Sequence, residues 1–319
     1  MSLLNPDLIL QPNRTIHADY AHTRGIFGTG VGVAVLDSGI KPRADFDGRI
    51  VHFEDFVHHR PLPYDDSGHG SHICGKIGSA GKILTNPDSS GQSEKPKPYE
   101  YLGIAPGCDL IVLKILDHEG NTSLSTFLQA VDWLMEYRTT YNIRIVNISL
   151  GADMHNPSLD TARLNQAVDM LWDCGYAVCV SAGNNGPSAG SITAPGSSCK
   201  VITVGASDDH VRIPGKALYY SGRGPAACTN VKPEIVAPGS QIISCSHYSY
   251  GYAIKTGTSM STAFVSGAIA LLLEILPHLT NEDIKKHLRK CSRRLSLPHF
   301  QQGYGLLDIK RLISDSGYL

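Results

Sequence analysis

Runs of apolar residues at 31–36, 110–115, 143–150, 176–182 and 201–205 alternate along the chain with stretches of helical spacing such as 123–138 and 160–174. Short runs that are apolar at nearly every position predict strands buried on both faces. Their alternation with helices predicts an α/β fold in three layers, with a mainly parallel central sheet and helices on both faces. The stretch 261–273 differs, because it is small or apolar on nearly every side. It predicts a helix buried all round, whose first turn, at Ser259, presents N–H groups without intrahelical partners and the positive end of the helix dipole. Asn281 to Lys290 reads as a surface helix, with Thr280 as its cap and Glu282 or Asp283 in its first turn.

The 319 residues exceed the usual size of one domain, but an α/β fold of this length can close a single large core. The expected organisation is an N-terminal arm over 1–28, forming a short propeptide, then one domain over 29–319. The polar stretch Ala80 to Tyr101 is expected to form a long loop inserted into that domain. With 28 basic and 29 acidic residues the formal net charge is −1, so no polycationic surface for nucleic acid is implied. The basic cluster Lys285 to Lys290 with Arg293 and Arg294 reads as the solvated end of a helix, where cations are favourable. No apolar stretch approaches the ~20 residues that span a bilayer, so no membrane partner is expected. Met1 to Leu10 lacks a basic segment followed by a long apolar one. The eight cysteines form no CxxC pair, and several lie inside apolar runs. Buried thiols in a reducing cytoplasm are therefore the expectation.

Candidate chemistry falls in three places. The run Gly30 to Leu36 ends in Asp37, followed by a Ser38-Gly39 turn, at the strand edge where α/β sheets carry their sites. Asp65-Asp66-Ser67-Gly68-His69-Gly70 opens a glycine-rich helix with His69 in its first turn, and the flanking glycines allow close approach of backbone and substrate. Gly257-Thr258-Ser259 sets a hydroxyl at the mouth of the buried helix. Singly, Asp37 is a turn former, His69 a helix-cap or metal-site histidine and Ser259 an N-cap. Together they supply acid, base and nucleophile in an order that one class of serine peptidase uses. The glycines of Gly28-Thr-Gly-Val-Gly32 precede their strand, which excludes them as a dinucleotide-binding turn.

These three segments resemble the Asp, His and Ser signatures of subtilisin-type serine peptidases, the subtilases, and the resemblance covers most of the chain. Ser149-Leu150-Gly151 resembles the family's substrate-binding strand, and Ser181-Ala182-Gly183-Asn184-Asn185-Gly186 the segment with its oxyanion-hole asparagine. Ala194-Pro195-Gly196, Val201 to Gly205, Lys232 to Gly239 and Gly303 to Asp308 follow in family order. Pro63 to Gly70 and Tyr176 to Asn184 look closest to the AprX-like cytoplasmic bacterial branch.

The resemblance implies a serine endopeptidase acting on protein or peptide substrates through Asp37, His69 and Ser259. Asn184 and the Ser259 backbone N–H would form its oxyanion hole. It also implies a cleft lined by Ser149, Leu150, Gly151 and Ala152 with Leu116 to Gly120. The side-chain pocket would lie between that strand and Ser181, Gly183 and Asn185, with Asn185 and Thr193 limiting its depth. No acid from these segments stands at its base, so a neutral or apolar residue is expected on the acyl side of the scissile bond. Catalysis would need no cofactor. A structural calcium or sodium ion is the one metal expectation, with Asp45, Asp47, Asp65 and Asp66 as its candidate ligands. The family's proline four residues after the nucleophile is Ala263 here, and its following histidine is Phe264. A catalytically silent peptide-binding module of the same fold, or a peptide ligase, stays open at this level.

Overall fold

The computed structural model describes residues 11–82, 98–150, 157–213, 215, 218–226, 231–248 and 251–317. In chain order they form α1 (Pro12–Thr15), α2 (Ala18–His22), β1 (Gly32–Asp37), β2 (Ile50–Asp55), α3 (His69–Gly78), α4 (Pro98–Tyr101), β3 (Asp109–Lys114), α5 (Leu124–Tyr137), β4 (Ile143–Ile148) and α6 (Pro157–Asp173). There follow β5 (Ala177–Ser181), β6 (Ile202–Ala206), β7 (Ile235–Ala237), β8 (Ile242–Cys245), β9 (Tyr252–Lys255), α7 (Thr258–Ile275), α8 (Asn281–Cys291), α9 (His299–Gln302) and α10 (Ile309–Ser314).

Strands β1 to β7 make one sheet in the order β2-β3-β1-β4-β5-β6-β7, and every neighbouring pair is parallel. The five apolar runs are β1, β3, β4, β5 and β6. Strands β1, β5, β6 and β7 are buried at every position, as a sheet covered by helices on both faces requires. Strand β2 was not legible as a strand, because it is the half-exposed edge and its Ile-Val-His-Phe-Glu-Asp sequence mixes charges with apolar residues. The strands of the antiparallel hairpin β8–β9 are only four residues each, too short for an apolar pattern to declare them. From β1 the chain runs to one side through β2 and β3, and from β4 onward to the other. The strand order reverses beside β1, which opens a crevice at the C-terminal ends of β1 and β4, where sheets of this kind bind ligands.

Helix α7 packs against β4 to β7 and against α3, and only Glu274 among its residues is not buried. By length and composition it is apolar enough to cross a membrane, which the reading by apolar runs did not anticipate, but 94% of it lies inside the fold. It is the core helix. Glu274 Oε2 accepts the N–H groups of Phe27 (2.7 Å) and Gly28 (2.6 Å), tying the helix end to the segment before β1. Residues 11–28 of the expected arm are built into the body: Ile16, Ala18 and Ala21 are fully buried, and Ile309 N–H donates to the Ile16 carbonyl (2.9 Å). Residues 1–10 and most of the expected loop insertion, 83–97, lie outside the described residues. Thr280 caps α8 in a reciprocal capping box with Asp283.

Candidate active site

Asp37 ends β1, is fully buried, and accepts the Ser38 N–H at 2.7 Å. His69 opens α3 with its Nδ1 at 2.8 Å and 3.0 Å from the two Asp37 oxygens. Two glycines permit this approach. Gly39 has φ +116°, and a Cβ on Gly70 would overlap the Gly39 carbonyl, so α3 lies directly against the turn after β1. Asp65 fixes the start of α3: it accepts from Gly68 N–H (2.8 Å), Ser71 N–H (2.7 Å) and the Ser38 hydroxyl (2.8 Å). A carboxylate belongs at a helix N-terminus, where donors are unpaired and the dipole is positive. Burial alone would raise the Asp65 pKa, but these donors outweigh it and hold the group below the ordinary carboxylate value. For His69, burial alone would lower the pKa. The charge and hydrogen bond of Asp37 outweigh that, so the imidazolium is favoured and the pKa lies above 6.5.

The chain enters α7 through Gly257, with Thr258 and Ser259 as the first two helical residues. The Ser259 hydroxyl donates to the Ser149 carbonyl (3.1 Å), while the Ser149 hydroxyl donates back to the Ser259 carbonyl (3.2 Å). This reciprocal pair holds the Ser259 turn against the end of β4. It also turns the hydroxyl toward β4 rather than toward His69, an orientation that rotation about χ1 exchanges for another staggered one. Asn184, in the exposed turn after β5, accepts the Thr258 N–H (3.0 Å) and hydroxyl (3.2 Å) on its Oδ1. With the amide oxygen so committed, the Nδ2 donor is left for the pocket that Asn184 shares with Ser259.

That pocket is open, about 490 Å³ in volume, and is lined by His69, Asn184, Ser259, Met260, Ile213 and Lys255 among others. Of the residues expected to hold substrate, Ser149, Leu150, Ser181, Gly183 and Thr193 come together beside it. Ser181 Oγ donates to the Leu150 carbonyl (2.6 Å), and Thr193 N–H donates to the Ala182 carbonyl (3.2 Å). A Cβ on Gly183, which has φ +86°, would overlap the Thr193 hydroxyl. That hydroxyl is buried with no hydrogen-bond partner among the described residues. Asn185 is exposed next to Asn184. Leu116 adjoins Asp37, donating its N–H to the Asp37 carbonyl (3.2 Å), whereas Gly120 sits farther along, in an exposed turn closed on Asp117. Gly151 and Ala152 lie outside the described residues.

Three supporting residues had no role in the sequence reading. Thr258 orients Asn184. Lys114, fully buried at the end of β3, donates to the carbonyls of Ser38 (2.7 Å) and Leu116 (2.8 Å) and to Asp66 (2.7 Å), bracing both segments that leave the sheet next to Asp37. His72 places its Nε2 at 2.9 Å from the Ile242 carbonyl, tying α3 to the β8–β9 hairpin that leads into Ser259. Burial drives the His72 pKa down to about 3, so the ring is neutral at working pH. Its spacing from His69 was visible in the sequence, but its contact partners were not.

The four acids named as candidate cation ligands each have a protein partner. Asp45 is buried against Arg43 Nε (2.6 Å), the Ser79 hydroxyl (2.8 Å) and the Tyr252 hydroxyl (3.0 Å). Asp65 caps α3, Asp66 pairs with Lys114, and exposed Asp47 lies 3.4 Å from Lys82. Among the described residues no three of these acids converge. The proline-to-alanine departure also changes meaning. Ala263 is the sixth residue of α7, past the first turn, so a proline there would not merely preset the Ser259 turn. Phe264, in place of the family's histidine, lies under the Lys76 ammonium, 5.2 Å from ring centre to Nζ.

The chain matches known proteins in sequence and in fold. The model of the subtilase family covers residues 28–305, and the chain belongs to that family. It is 38% identical over 282 residues to the serine protease AprX of Bacillus subtilis (strain 168), covering 82% of this chain and 61% of that protein's length. It is 32% identical over 293 residues to subtilisin Savinase of Lederbergia lenta, covering 92% of this chain and 94% of Savinase. Among solved structures, a cold adapted subtilisin-like serine proteinase matches with a TM-score of 0.69 at 26% identity, over 89% of this chain and 90% of that one.

Proposed function

We propose that the chain is a serine endopeptidase in which Ser259 attacks the peptide carbonyl and forms an acyl-enzyme. His69 takes the Ser259 proton and delivers it to the leaving amine, while Asp37 holds the ring's tautomer and stabilises the imidazolium. Asn184 Nδ2 and the Ser259 N–H receive the oxyanion. Water then resolves the acyl-enzyme by the same proton path. Every step uses side chains already named, and no metal or cofactor enters it. The observation that carries this reading is the two-oxygen grip of Asp37 on His69, in a pocket that also holds Ser259 and the oriented amide of Asn184.

Ser149, Leu150, Ser181, Gly183 and Thr193 form the wall we assign to the acyl side of the substrate, and the buried Thr193 hydroxyl supports a shallow, uncharged pocket there. Neutral or apolar residues should be preferred at that position. The buried thiols Cys74, Cys108, Cys179 and Cys245 support action in a reducing compartment such as the cytoplasm. The bond from the Ser259 hydroxyl to the Ser149 carbonyl is the one observation on the side of a silent binding module. A fluorophosphonate probe separates the two, applied to wild type and Ser259→Ala and followed by hydrolysis of a denatured protein. Stoichiometric labelling that the variant loses supports the peptidase; a folded wild type that neither labels nor cleaves overturns it. Peptides cut best after arginine would overturn the acyl-side preference alone.

A further inference from the structure

Lys255 ends β9, four residues before the nucleophile, and lines the pocket that holds His69 and Ser259. Its side chain is half-buried, and among the described residues no carboxylate lies within ion-pair distance of its Nζ. Among the described residues Ile213, Ile254, Thr256 and Met260, which carry no charge, make up the wall around it, with His69 beside Ser259. Its charge reaches the reacting groups, opposing protonation of His69.

The position of this pocket assigns it to one half of the substrate. None of Ser149, Leu150, Ser181 or Gly183 lines it. Those residues form a separate wall at the ends of β4 and β5, which meets Ser259 through the Ser149 carbonyl. If the acyl half lies along that wall, the leaving half must lie along Lys255, on the side from which His69 delivers the proton to the departing amine. This assignment rests on the peptidase reading.

We propose that Lys255 is a specificity-determining residue that selects substrates carrying a carboxylate one or two residues beyond the scissile bond. An ammonium with no ion-pair partner in a partly desolvated pocket without a carboxylate among its described lining attracts a carboxylate more strongly than it would in open water, and it repels a substrate lysine. The carboxylate has two sources, an aspartate or glutamate side chain or the C-terminal carboxylate of a peptide that ends two residues past the bond.

The test uses internally quenched peptides with one apolar acyl-side residue and glutamate, glutamine or lysine at the first and second leaving-side positions. A second series ends two residues past the bond with its terminus free or amidated. For wild type, kcat/KM for the glutamate peptides should exceed that for the lysine peptides about tenfold, an attraction and a repulsion each worth a few-fold at a half-exposed site. Lys255→Glu should reverse the order, Lys255→Met should level it, and Lys255→Arg should keep it. Raising the salt concentration should narrow the wild-type ratio. A preference in the first series assigns side-chain carboxylates, and one confined to free termini in the second assigns the chain end. Equal rates across both series, in enzyme that labels with fluorophosphonate and cuts the glutamine reference, would overturn this proposal and leave the peptidase reading standing. Folded enzyme that neither labels nor cuts any peptide would overturn both.

Discussion

Replacing Lys76 by methionine should stabilise the protein at neutral pH. Lys76 is buried on α3, with its ammonium 3.3 Å from Asn13 Oδ1 and over the Phe264 ring, and no carboxylate lies within ion-pair distance among the described residues. Burial pulls its pKa from 10.5 to about 8. At about 1.4 kcal/mol per pH unit, the charged form costs the folded state about 3 kcal/mol. The folded protein gives up this proton at a lower pH than the unfolded chain does. Below about pH 8 the whole cost is present, and between about pH 8 and 10.5 the unfolded state binds more protons, so stability rises with pH. Methionine keeps an unbranched chain of similar shape and forfeits a long hydrogen bond and a cation–π contact together worth about 1 kcal/mol. The net gain at pH 7 is about 2 kcal/mol, or about 3 °C in Tm for a chain of this length. Calorimetry in a Ser259→Ala background, which removes self-digestion, would compare the two at pH 7 and pH 10. The gap should be about 3 °C at pH 7 and close to zero at pH 10. A methionine variant that melts lower at pH 7, or a gap independent of pH, would refute the reasoning.

Asn184→Ala should lower kcat about 10²- to 10³-fold with little change in KM, because the amide meets charge that develops only in the transition state; a loss under fivefold in peptide hydrolysis would contradict its role. Since Asp37 raises the His69 pKa and the base must be neutral, the acid limb of kcat/KM should fall above pH 6.5. Rates measured from pH 5 to 9 would show it, and a limb below 6.5 would count against the pairing. Ala263→Pro removes an N–H that a regular helix directs at the Ser259 carbonyl, which keeps its bond from the Ser149 hydroxyl. Turnover should stay within about tenfold, roughly 1.4 kcal/mol of barrier, and complete loss would show that the alanine itself is needed.

What the sequence determined by itself is local. Runs apolar at nearly every position declared β1, β3, β4, β5 and β6, since a strand covered on both faces is apolar along most of its length. The apolar character of 261–273 declared α7, and the glycines flanking His69 marked a place of close backbone approach, which Gly70 makes against Gly39. What the tertiary structure decided depends on groups distant in the chain. Strand β2 became a strand by pairing at an edge that asks little of its sequence. Ser79 and Tyr252 enclosed Asp45 in a buried hydrogen-bond network beside Arg43. Thr258 aimed Asn184, and a short hairpin delivered Lys255 to the pocket. A carboxylate or an ammonium carries the same letter whether it is paired, buried or facing substrate, and its environment, set by contacts tens to hundreds of residues away, fixes which of these it is.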